Sequence, residues 1–393
     1  MKRIYLDNNA TTQVDEQVKA VMDPFFCEKY GNPNSLHRFG TEVHPYMREA
    51  LDQLYAGIHA DDEDDIIINS CASEGNNTVI KSEYYRSILS NSKKIRMITS
   101  TIEHPAVSEA YRFLEKLGAE VIYLPVNSEG LVDPEALREA IDPDITSLVS
   151  IIWANNETGL INPVKEYAEI CRENGVKLHL DAVQAVGKIP VNMKQIEADF
   201  ITFSAHKFHG PKGVGGLYIR KGNSIIPLIH GGEQMAGLRA GTINTPYFIG
   251  MGKAMELAVS NLEFEDREVR RLRDKLEDAI VKIKDVEVIG KRELRTPNTI
   301  LASFRGIEGE AFLWDLNQNG VAASTGSACS SESLESNPTF VAMDIGSDLA
   351  HTGIRFSLSR YTTEEEIDYA IKVIHNTVKR LRSISSTKNK EYI

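Results

Sequence analysis

The stretch Ser204-Ala205-His206-Lys207-Phe208-His209-Gly210-Pro211-Lys212-Gly213 gathers amines, imidazoles and a hydroxyl into one short segment. It follows Asp199-Phe200-Ile201-Thr202-Phe203, an apolar, β-branched run that reads as a buried strand. Polar groups just past such a strand sit at a sheet edge, where α/β proteins bind ligands. Taken alone, Lys207 reads as a solvated loop lysine. Its company argues for chemistry: upstream, Val176-Lys177-Leu178-His179-Leu180 ends in Asp181-Ala182-Val183-Gln184, which brings a carboxylate to the same kind of edge. An amine and a carboxylate so placed fit pyridoxal phosphate (PLP), whose aldehyde takes a lysine Schiff base and whose pyridinium nitrogen takes an acid.

The elements that would position these groups alternate. Strands are predicted at 66–68, 95–99, 121–124, 148–153, 176–180, 199–203 and 215–220, with helices at 105–117, 134–141 and 164–174 among them. Such alternation implies an α/β fold with a mainly parallel sheet covered on both faces. His104, Asn156, Asp181 and Ser204 are each expected just past the carboxyl end of a strand, so they would converge on one edge. Cys71-Ala72-Ser73 opens a helix after the strand at 66–68. Amides at a helix N-terminus favour a phosphate, although Ser73 would serve as well as a plain cap. Earlier come a strand at 4–6, a polar turn at 7–12, a helix at 15–26, a loop at 30–35 and a helix at 45–58. Beyond Pro246 the pattern changes. A continuous helix with one apolar stripe is predicted over 263–283, then strands at 286–289, 298–304 and 353–358 and helices at 309–317 and 363–381. This gives a large domain over 18–256 and a smaller α+β domain from 1–17 and 257–393, the latter holding a small-residue loop at about 323–340.

In order and spacing, seven segments together resemble the PLP-dependent cysteine desulfurases of the NifS/IscS type, within the class-V aminotransferase group. They are Leu6-Asp7-Asn8-Asn9-Ala10-Thr11-Thr12, Glu103-His104, Asn155-Asn156-Glu157-Thr158-Gly159, Asp181-Ala182-Val183-Gln184, Ser204-Ala205-His206-Lys207, Arg239-Ala240-Gly241-Thr242 and Ser324-Thr325-Gly326-Ser327-Ala328-Cys329. The resemblance implies the aspartate-aminotransferase-like fold, with a mainly parallel seven-stranded sheet in the large domain. It implies catalytic roles for Lys207, Cys329 and His104, with His104 stacked on the cofactor and accepting the Cys329 thiol proton. Cofactor contacts would come from Ala72, Ser73, Asn156, Asp181, Gln184, Ser204, His206 and Lys207, and from Thr242 of the second subunit of a homodimer. Asn156 and Arg355 would bind the substrate carboxylate, for which the guanidinium fork is suited. Cys329 would take the sulfur of L-cysteine as a persulfide, leave alanine, and pass the sulfur to an iron–sulfur scaffold of NifU or IscU type. It would also ligate a 2Fe–2S cluster shared with that scaffold. The chain departs from many relatives at Cys71, Ser73 and Thr325. A selenocysteine lyase, another class-V PLP enzyme and a catalytically idle sulfur carrier or scaffold are the alternatives.

Composition narrows the classes further. A formal net charge of −12 argues against direct nucleic-acid binding and against anionic membrane surfaces. No apolar run approaches the roughly 18 residues of a spanning helix, and Met1-Lys2-Arg3 leads directly into a strand, so a cytoplasmic location is expected. The four cysteines, Cys27, Cys71, Cys171 and Cys329, lack paired spacing, which disfavours structural zinc and disulfides.

Overall fold

The computed structural model describes residues 3–325, 338–346, 349 and 351–384. After the short β1 (Ile4–Tyr5), seven strands build the main sheet: β2 (Asp65–Asn69), β3 (Arg96–Ser100), β4 (Glu120–Leu124), β5 (Thr146–Ile152), β6 (Lys177–Asp181), β7 (Phe200–Ser204) and β8 (Gly215–Ile219). Their order is β2-β8-β7-β6-β5-β3-β4. Only β8 runs antiparallel to its neighbours, so β2, β3, β5, β6 and β7 all end at one edge. Every residue of β5, β7 and β8 is buried. Both faces of these strands are covered, which is why their sequences read as unbroken apolar runs rather than as alternations. One apolar cluster packs the helices His44–Ile58 and Thr245–Ser260 on one face, and another packs Ala72–Leu89 and Pro105–Glu115 on the other.

Close approach of the helix Ala72–Leu89 to the sheet depends on Gly75. A Cβ there would meet Thr202 Cγ2 at 2.8 Å, so any larger residue would lift the helix and withdraw Asn76 from β6. This is the contact that matters for the site.

A second sheet, in the order β12-β10-β9, is made of β9 (Val286–Val288), β10 (Thr299–Phe304) and, after the two-residue β11 (Val321–Ala322), β12 (Gly353–Ser357). The helices Arg270–Ile280, Gly309–Gln318 and Glu364–Ile384 bury their apolar stripes against it. β1 pairs in parallel with β11, and Ile4 and Leu6 share this second core, whereas Val18 and Met22 belong to the main one. The chain therefore starts in one core and crosses at once to the other.

Two expectations are corrected. The helix expected over 15–26 is two pieces, Glu16–Met22 and Pro24–Cys27, because Pro24 has no N–H with which to continue the ladder. The helix expected over 263–283 is interrupted by a π-helical turn, Glu265–Val269, before Arg270–Ile280 resumes. The wider turn turns both Glu265 and Val269 inward, leaving Glu265 with 5% exposure. β11 is too short to leave a period in the sequence.

Candidate active site

Asp181 is the last residue of β6 and only 3% exposed. Its carboxylate accepts from Asn76 Nδ2 at 2.8 Å and from the Val183 N–H at 3.1 Å. Behind Asn76 stands a chain of buried polar groups. Tyr111 Oη lies 2.7 Å from Ser150 Oγ, Ser150 Oγ 3.0 Å from His179 Nδ1, and His179 Nε2 3.4 Å from Thr202 Oγ1, which donates in turn to Asn76 Oδ1. A carboxylate only accepts, and that one constraint orients every member. Asn76 must give its NH2 to Asp181, so its oxygen takes the Thr202 proton. His179 Nε2–H then donates to Thr202, and Nδ1 accepts from Ser150, which accepts from Tyr111. This needs a neutral imidazole, and burial pushes His179 down to about 3. Each bond polarises the next toward the carboxylate.

Lys207 closes a 3₁₀ turn, Ala205–Lys207, directly after β7. Its Nζ donates to the carbonyls of Asn9 at 2.6 Å and Ala10 at 2.9 Å. Gln184 Nε2 shares the Asn9 carbonyl at 3.0 Å. The Asn9 side chain reaches Asn156 O at 3.1 Å and Thr299 Oγ1 at 2.9 Å through Nδ2, and accepts from Asn298 Nδ2 at 3.0 Å. Its own N–H donates to Ser357 Oγ at 2.9 Å. Asn9 is thus the knot between the first strand-loop, the main sheet and the second sheet.

A cleft of about 590 Å3 opens over these groups, lined among others by Ala72, Ser73, His104, Asn156, Asp181, Gln184, Ser204, His206, Lys207 and Arg355. All the cofactor and substrate residues expected from sequence, Thr242 and Cys329 apart, meet here. Thr242 is exposed and does not line this cleft within its own chain. Its loop is tied nearby, since Arg239 Nε donates to Glu74 Oε1 at 2.8 Å on the first turn of the helix Ala72–Leu89. That helix has no side-chain cap: Cys71 sits at the cap position in extended conformation and lines the cleft, and its thiol accepts nothing from the first turn. An uncapped N-terminus beside Ser204 and His206 is an anion site in waiting. Burial, then the charges of Lys207 and Lys212, hold His206 down at about 4, so it meets an anion as a neutral ring. Its Nδ1 lies 3.1 Å from Thr11 Oγ1.

His104 caps the helix Pro105–Glu115, with Nδ1 accepting the Ala106 N–H at 3.1 Å. In the neutral ring the proton is therefore on Nε2, and that nitrogen is a donor. Burial lowers the His104 pKa, Asp181 opposes this and Lys207 adds to it. The expectation that His104 accepts the thiol proton of Cys329 does not fit this capped state, because the one basic nitrogen is already engaged.

Arg355, on β12, is 3% exposed. Nη2 donates to Asp7 Oδ1 at 2.7 Å and Nη1 to Asn156 O at 3.0 Å. Its backbone bridges to Ser324, with Arg355 N 2.6 Å from Ser324 O. Cys329, and with it the expected persulfide carrier and cluster ligand, lies outside the described residues. The described chain on either side of it meets the cleft, through the Ser324 bridge to Arg355 and through Thr339, which lines the cleft wall. Among the described residues no group of three or more His, Cys, Asp or Glu is arranged to hold a metal ion, and no helix is long and apolar enough to cross a membrane.

The sequence matches the aminotransferase class-V family over residues 4–370. This chain belongs to that family. Within class V it is 47% identical over 390 residues to a cysteine desulfurase IscS of Dictyoglomus turgidum, covering 99% of this chain and 98% of that protein. It is 43% identical over 386 residues to the cysteine desulfurase NifS of Azotobacter vinelandii, covering 98% of this chain and 95% of that protein. A solved NifS-like protein superposes with a TM-score of 0.90 at 40% identity, over 96% of this chain and all of that one. The cofactor of this class-V chain is PLP. The residues present fit it: a buried carboxylate aimed at the cleft, a lysine amine at the next strand end and an uncapped helix N-terminus are the three partners that its ring nitrogen, aldehyde and phosphate need.

Sequence reasoning missed Asn9, Asn76, His179 and Lys188. His179 carried a signal, as a polar residue inside an apolar strand run. Asn76 carried a weaker one, three residues after Ser73 on a helix that must face the sheet. Lys188 carried none, and Asn9 carried one only as a member of the segment Leu6–Thr12 that bears the family resemblance.

Proposed function

We propose that this chain is a PLP-dependent cysteine desulfurase that converts L-cysteine to L-alanine, holds the sulfur as a persulfide on Cys329 and supplies it for iron–sulfur cluster assembly. The observation that carries the reading is that, of the described residues flanking the Cys329 segment, Ser324 bridges to Arg355 of the cleft that holds Lys207 and Asp181, and Thr339 lines that cleft. When bound, PLP supplies an electron sink for the substrate α-carbon. Lys207 Nζ would hold its aldehyde and would carry protons as a free amine. Asp181 keeps the ring nitrogen protonated, its charge held in place by Asn76 and the Val183 amide. Gln184 and Asn156, which line the cleft, would hold the ring hydroxyl. Ala72, Ser73, Ser204 and His206 hold the phosphate, with the partner subunit's Thr242. Arg355 and Asn156 would receive the substrate carboxylate, and His104 would lie against the cofactor with Nε2–H available as a donor.

In the sulfur step, the Cys329 thiolate attacks the substrate sulfur. An S–S bond forms, the substrate Cβ–S bond breaks, and its electron pair stays on Cβ, which takes a proton to become the alanine methyl group. A free thiol with a pKa of about 8.5 is only a few per cent ionised near neutrality, so the step rewards conditions that deprotonate Cys329. The acceptor is a scaffold of NifU or IscU type, with which Cys329 shares a 2Fe–2S cluster.

Incubation with cysteine and a thiol reductant should release alanine and sulfide in equal amounts. Without reductant, mass spectrometry should find one added sulfur on the peptide bearing Cys329. Cys329→Ala should keep the visible cofactor absorbance while alanine formation falls by orders of magnitude; near-normal alanine from that variant would refute the reading.

The functional unit is a homodimer. Tyr30 and Phe39, at 65% and 53% exposure with ring centroids 5.9 Å apart, present an exposed aromatic pair that a second copy would cover. Mixing Lys207→Ala chains with Thr242→Ala chains should place both defects in one site of each heterodimer and restore the other. Two damaged sites would mean that Thr242 acts within its own chain.

A further inference from the structure

Lys188 is 7% exposed, lies one turn past Gln184, and has no part in the chemistry above. Its Nζ donates to Asn9 Oδ1 at 2.9 Å and to Gln184 Oε1. In its ammonium form Lys188 only donates, so both amides then turn their oxygens toward it and their NH2 groups away. For Asn9 this is the orientation that sends Nδ2 to Asn156 O and Thr299 Oγ1. For Gln184 it is the one that sends Nε2 to the Asn9 carbonyl, the acceptor of Lys207. Turned over, the Gln184 amide would set NH2 against the ammonium and oxygen against the Asn9 carbonyl, so two attractions would become two repulsions.

The space around Lys188 is small, about 10 Å3. Lys188, Lys207, Glu265, His209 and Asn298 line one small internal space behind the cleft, with Glu265 brought there by the π-helical turn. The charged groups facing Lys188 are Lys207, Glu265 and Arg355. Burial, followed by Lys207, pushes Lys188 down to about 7, and burial pushes Glu265 up to about 7.

We propose that Lys188 is a positioning residue of the desulfurase site, one that locks the Gln184 amide so that Gln184 meets the bound cofactor with its NH2 group as a donor. The inference rests on the PLP reading and concerns this chain's own residues.

A double-mutant cycle tests it: wild type, Lys188→Met, Gln184→Ala and the double variant, with PLP affinity of the apoproteins read by fluorescence and the pH midpoint of visible absorbance read on the loaded proteins. Wild-type protein that fails to bind PLP would overturn the cofactor reading itself. With binding established, Lys188→Met should weaken PLP about tenfold, the worth of one hydrogen bond to a charged group. The double variant should bind within about twofold of Gln184→Ala, because the two residues act through one contact. The absorbance midpoints of the two single variants should move in the same direction. A purely structural lysine would give losses that multiply in the double variant, and that result, or wild-type affinity in Lys188→Met, overturns the proposal. If the Met variant melts early as an apoprotein, Lys188→Ala goes through the same cycle with the same two outcomes.

Discussion

The two hydrogen-bond networks behind the cleft are built on opposite plans. The one from Tyr111 through Ser150, His179, Thr202 and Asn76 to Asp181 is linear, lies within the main sheet and its covering helices, and has its one charge at the end. The one around Asn9 is convergent. It draws Lys207, Gln184 and Lys188 from the main sheet side and Asn298, Thr299 and Ser357 from the second, with Arg355 joining through Asn156. A linear chain fixes the direction of a charge, and its members can be lost one at a time from the far end. A hub fixes relative position, and any spoke that carries chemistry is costly to lose.

Replacing the reactive spoke should have the largest effect. Lys207→Ala should lower alanine formation by about 10⁴-fold or more, since it removes both the covalent anchor and the proton carrier. Borohydride treatment of wild type should fix PLP on the peptide holding Lys207; label on Lys212 would break the assignment. Next comes the spoke toward substrate. Arg355→Gln should raise KM for cysteine about 10- to 100-fold, the worth of a charge-assisted pair, with the cofactor spectrum kept. An unchanged KM would remove Arg355 from the substrate site.

The smallest effect should come from the linear network, and it should depend on pH. His179 titrates at about 3 in the fold against 6.5 in the unfolded chain. Between those values only the unfolded chain binds the proton, so the fold loses stability as pH drops from about 6.5 toward 3. His179→Gln should flatten that stretch of the stability curve, while costing about 1–3 kcal/mol at neutral pH through a broken relay. Melting temperatures at pH 7 and pH 5 check this. A variant with the same acid slope as wild type would mean that other buried rings, such as His206 and His209, carry it.

What the sequence reveals follows the same division. Lys207, Asp181 and His104 are legible because each ends or follows an apolar strand run, and strand ends at one sheet edge are a local pattern repeated along the chain. The interrupted helix at Glu265–Val269 and the Asn9 hub are not legible, because both are set by packing between distant segments. Asn9 and Ser357 are 348 positions apart, and no local period reports such a contact. The capped state of His104 falls in between: His-Pro at a helix start is visible in the chain, but which ring nitrogen the cap consumes needs coordinates.

The crossing of β1 into the second core has a consequence for biosynthesis. Ile4 and Leu6 leave the ribosome long before their partners Val321 and Ile354. At about 5–20 residues per second, the 348 positions between Asn9 and Ser357 amount to roughly 20–70 s of translation. Throughout that interval the main sheet can condense with Lys207 and Asp181 in place, while the N-terminal strand has nothing to pair with. A nascent chain arrested before β12 would therefore hold a formed floor without its wall, with an apolar first strand exposed to chaperones, and competence for the cofactor would arrive only as the last strand emerges.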